Sequence, residues 1–161
     1  MDAPAKPCPL CASPLKPTIL PLIAGNEAPL RLTLHGMPAL ACAKAHTYFV
    51  KPDFALWLMN HLVEHDEATL PAGDATGLLF KAYLCHDCGK PLSPKPDHVH
   101  AFNLPLAYEG EPEFRVEVAM PVFRCGGCGK EQIHSLGEVR KLTPAALVDA
   151  FRGAGIRSGA M

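Results

Sequence analysis

Six of the seven cysteines in this chain fall into three Cys-x-x-Cys pairs, Cys8/Cys11, Cys85/Cys88 and Cys125/Cys128, and Cys42 stands alone. No other feature restricts the fold as much. Two thiols at that spacing share one tight turn. A second such turn brought beside the first closes a tetrahedron of sulfur around a divalent ion, for which zinc is the usual occupant. The odd cysteine count, and a start over Met1–Pro9 that lacks a basic and then apolar leader, argue against a disulfide framework. A reducing, cytoplasmic setting is expected, where thiolates stay free for metal.

The cysteines belong to a longer internal repeat. Cys8-Pro9-Leu10-Cys11-Ala12-Ser13-Pro14-Leu15 aligns with Cys85-His86-Asp87-Cys88-Gly89-Lys90-Pro91-Leu92 at an offset of 77 residues. Leu20-Pro21-Leu22 then matches Leu104-Pro105-Leu106, Arg31–Leu34 matches Arg115–Val118, and Met37–Cys42 matches Met120–Cys125, with the offset grown to 83 or 84. A longer loop around Ser93–Ala101 accounts for the growth. A repeat in constant order is one supersecondary unit used twice.

The expected fold class is small α+β, with two tandem zinc ribbons of short antiparallel strands, each followed by one helix. Residues 1–70 form the first unit, 71–79 a linker beginning at Pro71, and 80–161 the second unit. Within each unit a cysteine knuckle leads into a strand (Thr18–Ile23 or His98–Tyr108). A turn follows (Gly25–Pro29 or Glu109–Pro112), then a clearly alternating strand (Leu30–His35 or Phe114–Ala119). A Met-Pro step is expected to break that strand before the second knuckle. A last strand leaves the knuckle (His46–Val50 or Lys130–His134). In the first helix Pro52 suits position N1, and Phe54, Trp57, Leu58, Leu62 and His65 fall on one face. In the second, Thr143 suits the N-cap, Pro144 position N1, and Leu147, Val148 and Phe151 the apolar stripe up to Gly153. Seventeen prolines and thirteen glycines favour this turn-rich plan.

Two ligand sets follow. Cys85, Cys88, Cys125 and Cys128 make an all-thiolate site, with Gly89 and Gly129 directly after each pair to relieve the sharp knuckle. Cys8, Cys11 and Cys42 match three of these, and Ala45 stands where the second copy has Cys128. The next residue, His46, reaches farther from the backbone than a thiol and is read as completing a site of three thiolates and one imidazole. The expected cofactor is two Zn²⁺ per chain. Redox thiol pairs are the competing reading of the same cysteines.

Catalysis is not expected. Pro7-Cys8-Pro9-Leu10-Cys11 and His65-Asp66-Glu67 supply the two halves of a zinc deaminase signature, but in reversed order. The chain shows no Ser/His/Asp order, phosphate loop or dinucleotide fingerprint. His86 inside a knuckle reads as solvated. His98 and His100 alternate and share one strand face, which reads as exposed.

Cys8, Cys11 and Gly36-Met37-Pro38-Ala39-Leu40-Ala41-Cys42 together resemble the YgiT/MqsA-type zinc finger of bacterial antitoxins. Met120-Pro121-Val122-Phe123-Arg124-Cys125-Gly126-Gly127-Cys128-Gly129 is similar. The resemblance implies a structural zinc module that contacts a protein partner, beside a separate helix-turn-helix domain for DNA. Two such modules are expected in this sequence, and no helix-turn-helix domain is expected in the residues after Lys141.

The charge pattern bears on partners. Net charge is −1, with five basic and seven acidic residues over 1–80 and eight of each over 81–141. Phosphate-driven nucleic-acid binding needs a surplus of Lys and Arg. A protein-interaction or adaptor role is therefore favoured, with a nucleic-acid-binding regulator second. No apolar run is long enough for a membrane span.

Overall fold

The computed structural model describes residues 5–64, 72–79 and 82–158. Its elements in chain order are β1 (Lys16–Glu27), β2 (Leu30–Ala41), β3 (Thr47–Tyr48), α1 (Phe54–Glu64), β4 (Asp74–Thr76), β5 (Ala82–Leu84), β6 (His98–Leu106), β7 (Phe114–Arg124), β8 (Glu131–Gln132), α2 (Leu136–Gly153) and β9 (Ile156–Arg157). The class is mixed α and β with strands dominant. Among the described residues no helix is long and apolar enough to cross a membrane.

Among the described residues, one seven-stranded sheet contains every strand except the small β4–β5 hairpin. Its two long hairpins, β1–β2 and β6–β7, lie edge to edge through an antiparallel β2–β7 pairing from Arg31↔Ala119 to His35↔Arg115. The pairing is symmetric about Thr33↔Glu117. Alternation sends Leu32, Leu34, Val116 and Val118 to one face, where all four are buried. They share a single core with Ile23, Phe54, Leu58, Leu62, Leu106, Phe114, Leu147 and Phe151. The core thus draws on residues from both sides of the linker.

Each helix reaches across the join. α2 lies over β1 and β2, and Gly25 is where it comes closest: a Cβ there would stand 1.9 Å from the Ala146 carbonyl oxygen. Only a residue without a side chain permits that approach. From α1, the rings of Phe54 and Trp57 meet Tyr108 at 5.0 and 4.9 Å. The Tyr108 hydroxyl donates to Asp53 Oδ1 at 2.8 Å. The α1 stripe expected from spacing is present, with Phe54, Leu58 and Leu62 buried and Trp57 packed against them. His65 lies outside the described residues, as do Asp66, Glu67 and Pro71.

Several local expectations are corrected. The long strands do not stop at the Met-Pro steps. Pro38 pairs with Ile19 and Pro121 with Val99. On its other side Pro38 falls between the stretches of β2 covered by β7 and by β3, and Pro121 falls between the stretches of β7 covered by β2 and by β8. A residue without an N–H fits such an uncovered edge. The second helix starts well before Thr143. Ser135 caps it, its side chain accepting from the Glu138 N–H, and Pro144 lies inside. The Thr143 hydroxyl turns back to the Val139 carbonyl at 2.7 Å instead of capping. Pro52 sits in the turn before α1, whose first bond runs from the Trp57 N–H to the Asp53 carbonyl.

The linker is partly structured, since Asp74–Thr76 pairs with Ala82–Leu84 and Ala72 bridges to Ile133. Nor are the two Leu-Pro-Leu runs equivalent. Leu20 faces Met37 and Leu22 faces His35, whereas Leu104 and Leu106 face Val116 and Phe114. The loop of seven residues between β6 and β7, against two between β1 and β2, shifts one run along its hairpin.

Candidate metal centres

Four knuckles carry the candidate ligands. In three of them the chain folds back so that the N–H four residues after the first cysteine bonds that cysteine's carbonyl: Ala12 to Cys8 at 2.8 Å, Gly89 to Cys85 at 2.9 Å and Gly129 to Cys125 at 2.9 Å. The closing residue is left-handed each time, with φ of 58° at Ala12, 70° at Gly89 and 75° at Gly129. The knuckle at Cys42 is one residue tighter. There Ala45 closes on the Cys42 carbonyl at 2.9 Å with φ 60°, and the Cys42 N–H bonds the His46 carbonyl at 3.2 Å.

This tightness explains the histidine. With Tyr48 and Gln132 matched on the return strands, His46 corresponds to Lys130 and not to Cys128. It is the first residue past the turn, already heading into β3. The imidazole stands among the three sulfurs because its position has moved onto the strand, and not simply because it reaches farther along the same turn.

The first site brings together Cys8, Cys11, Cys42 and His46, and the second Cys85, Cys88, Cys125 and Cys128. In each set the ligand atoms all lie within 4.8 Å of one another. In the first, His46 Nδ1 stands 3.4 Å from Cys8 Sγ and 3.5 Å from Cys42 Sγ, with Cys11 and Cys42 sulfurs 3.6 Å apart. In the second, Cys85 and Cys128 are 3.6 Å apart and Cys88 and Cys125 3.4 Å. A tetrahedral ion with bonds of about 2.3 Å places its sulfurs about 3.8 Å apart, whereas a disulfide needs about 2.0 Å. The separations suit four-coordinate metal and not sulfur–sulfur bonds.

The electrostatics of the two sites run parallel. Burial pushes the Cys8 thiol up, but hydrogen bonds from Tyr48, the Leu10 backbone and His46 outweigh it and bring it down to about 6. Burial likewise opposes Cys85, and the Cys88 backbone, the Gln132 amide and the Asp87 backbone bring it to about 6. His46 is held above its ordinary value, first by its hydrogen bond to Cys8 and then by that to Cys11. The sites differ in exposure. Cys8 and Cys42 are buried and Cys11 is half-buried, whereas Cys88 and Cys128 are exposed.

Two contributors escape a reading by motif. Tyr48 Oη lies 3.4 Å from Cys8 Sγ, and Gln132 Nε2 donates to Cys85 Sγ at 2.9 Å. Only strand register identifies them, because neither belongs to a knuckle. Among the described residues the other histidines stay outside the two sites. The His86 side chain is exposed, and the His86 backbone N–H donates to Gln132 Oε1 at 2.8 Å. His98 stands beside Asp97 and Glu131, but Arg124 already binds both carboxylates, at 3.4 and 2.7 Å. His100 is half-buried near Phe102. His134 is clamped between the rings of Tyr83 and Phe123 at 4.1 and 3.3 Å, and burial lowers its pKa.

Comparison with protein-family models, with curated proteins and with solved structures returns no match. What stands on the residues themselves is that this mixed α/β chain carries two cysteine-rich clusters able to hold metal ions.

Proposed function

We propose that this chain is a structural zinc protein that holds two Zn²⁺ and serves as a docking module for another protein. The observation that carries the zinc reading is the convergence of four protein donors at each site, three thiols and one imidazole or four thiols. Such donor sets suit zinc over harder or octahedral ions. With all four positions taken by side chains, neither ion would keep a place for water or substrate, which supports a non-catalytic role. Zinc closes the ends of the two hairpins, in keeping with a tandem-ribbon plan and a duplicated unit.

The docking part rests on the surface near the first site. Leu10, Ile19 and Leu22 are 55%, 46% and 58% exposed on one knuckle and the outer strand β1. Prolines at 17 and 21 in β1, and at 105 in β6, interrupt the donor rows of both outer strands. Contact through side chains is therefore favoured over addition of a strand. Kinship with the antitoxin-type zinc finger would fit the same role.

The test has two parts. Elemental analysis of purified protein should give two zinc ions per chain, and chelation should abolish cooperative unfolding. One zinc or none would refute the first half of the reading.

A nucleic-acid-binding regulator is the alternative, supported by Arg31 and Arg115, which are exposed on the same sheet face. Titration with duplex and single-stranded DNA and RNA at low and physiological salt separates the two. Tight, sequence-dependent binding at physiological salt would place the regulator first.

A further inference from the structure

We propose that Gln132 and Tyr48 are positioning residues for the two metal sites, each donating a hydrogen bond to the first cysteine of its own site and so strengthening that site's hold on its ion. The proposal rests on the zinc reading above. Its starting point is a coincidence of register. Tyr48 on β3 pairs with Leu40, just before Cys42, and Gln132 on β8 pairs with Phe123, just before Cys125. The same place on the return strand therefore carries a donor in both halves, although one is a phenol and the other an amide. What the halves share is the donated proton and its target, Cys8 or Cys85.

Both donors are buried, Gln132 at 0% exposure and Tyr48 at 3%. A buried amide or hydroxyl must find an acceptor. The orientation of Gln132 is fixed by its other end, where Oε1 accepts the His86 N–H at 2.8 Å, so the amino group faces the sulfur. Tyr48 Oη lies 3.4 Å from Cys8 Sγ, and a metal-binding thiolate has no proton to give, so the phenol is the donor.

A thiolate accepts more strongly than a thiol, so these donors favour the form that binds metal. They also draw charge off a sulfur in a crowded anionic set. The need is greater at the second site, where four thiolates around Zn²⁺ leave a net charge of about −2. That site has the shorter bond, 2.9 Å against 3.4 Å. Two of its sulfurs, Cys88 and Cys128, are exposed and can draw on water, whereas Cys85 is buried and depends on the protein.

The test uses the full chain, with zinc competed against a chelator and Co²⁺ as a spectroscopic stand-in. Charge-transfer and ligand-field bands distinguish an all-thiolate site from one with three thiolates and an imidazole, so both are read in one sample. Gln132→Met keeps the shape and removes the donor. Gln132→Glu keeps the acceptor for His86 and serves if the first variant folds poorly. Either should weaken the second site by ~10–100-fold and leave the first unchanged. Tyr48→Phe should do the reverse, and Tyr48→Gln, which installs the other half's donor, should recover part of the loss.

Variants that hold both ions within about twofold of the parent would overturn the proposal. So would variants that weaken both sites equally, since that marks a general loss of packing. A parent chain that binds fewer than two ions would overturn the zinc reading itself, a result visible before any variant is made.

Discussion

Gly25→Ala should be among the most damaging single-methyl additions this fold can receive. The new Cβ would stand 1.9 Å from the Ala146 carbonyl oxygen, 2.4 Å from the Ala150 nitrogen and 2.9 Å from the Ala150 Cβ. Carbon and oxygen normally approach no closer than ~3.3 Å, so the carbonyl must retreat by more than ~1 Å. The obstacle is helix backbone, which cannot swing aside as a long side chain would. α2 must lift from β1, loosening Ala146, Leu147, Ala150 and Phe151, all buried against the sheet.

Overpacking of a close-packed core costs about 1–3 kcal/mol, and a backbone clash belongs at the upper end. For a domain of this size ~3 kcal/mol lowers Tm by roughly 6–12 °C. The assay is thermal unfolding of the zinc-loaded protein, with zinc content measured on the same sample. Gly153→Ala, at the end of the same helix with open space around its Cβ, is the control and should be neutral or gain up to ~1 kcal/mol. A Gly25→Ala protein that melts within about 1 °C of the parent would show that α2 does not rest on β1, and the shared core would fall with it.

Three further outcomes are expected. His46→Ala should weaken zinc at the first site and spare the second, as read by Co²⁺ absorption; equal loss at both, or none, would remove His46 from the ligand set. Ala45→Gly should stabilise the chain by about 0.5–1 kcal/mol in denaturant unfolding, because left-handed backbone costs an L-residue roughly 1–2 kcal/mol and glycine returns about half of that as entropy; Ala45→Val should destabilise it. Acid should release zinc: Cys8 and Cys85 are held at about 6, below the ordinary 9.0, so their stabilising contribution is full above pH 9, declines as pH falls and is lost below about 6. Protons compete with metal in the same direction, so zinc retention measured against a fluorescent indicator should fall, not rise, toward pH 5.

The two cysteine-rich clusters were legible because the capacity to hold metal is written in residue identity and spacing, and the eight donors named from the chain converge in two groups of four. The apolar faces of β2, β7 and α1 were legible because burial imposes a period on the sequence. What escaped is set by partners distant in the chain. Pro38 and Pro121 read as breaks because a proline's cost depends on whether its edge is covered, and pairing with another strand decides that. Thr143-Pro144 has the local chemistry of a helix start, yet Ser135 offers an earlier cap and the apolar stripe continues through. The Leu-Pro-Leu runs match as letters but sit at different heights on their hairpins. Tyr48 and Gln132 carry no motif, and only the fold shows that they face sulfur.

The antiparallel join at Thr33↔Glu117 has a consequence for the span of the molecule. β2 and β7 run in opposite directions from that pair, each ending at a knuckle, so the two cysteine-rich clusters lie at opposite extremities of the sheet. Nine residues from Thr33 to Cys42 and eight from Glu117 to Cys125 amount to roughly 55 Å of fully extended strand, which sheet twist and coiling shorten. α2 bridges that interval, starting just past Gln132 and ending in β9, which pairs with Thr47–Tyr48 beside His46. Ions held at both clusters would form a fixed ruler. Paramagnetic substitution at both would report a single long distance by dipolar spectroscopy, and a partner small enough to sit over one centre could not touch the other.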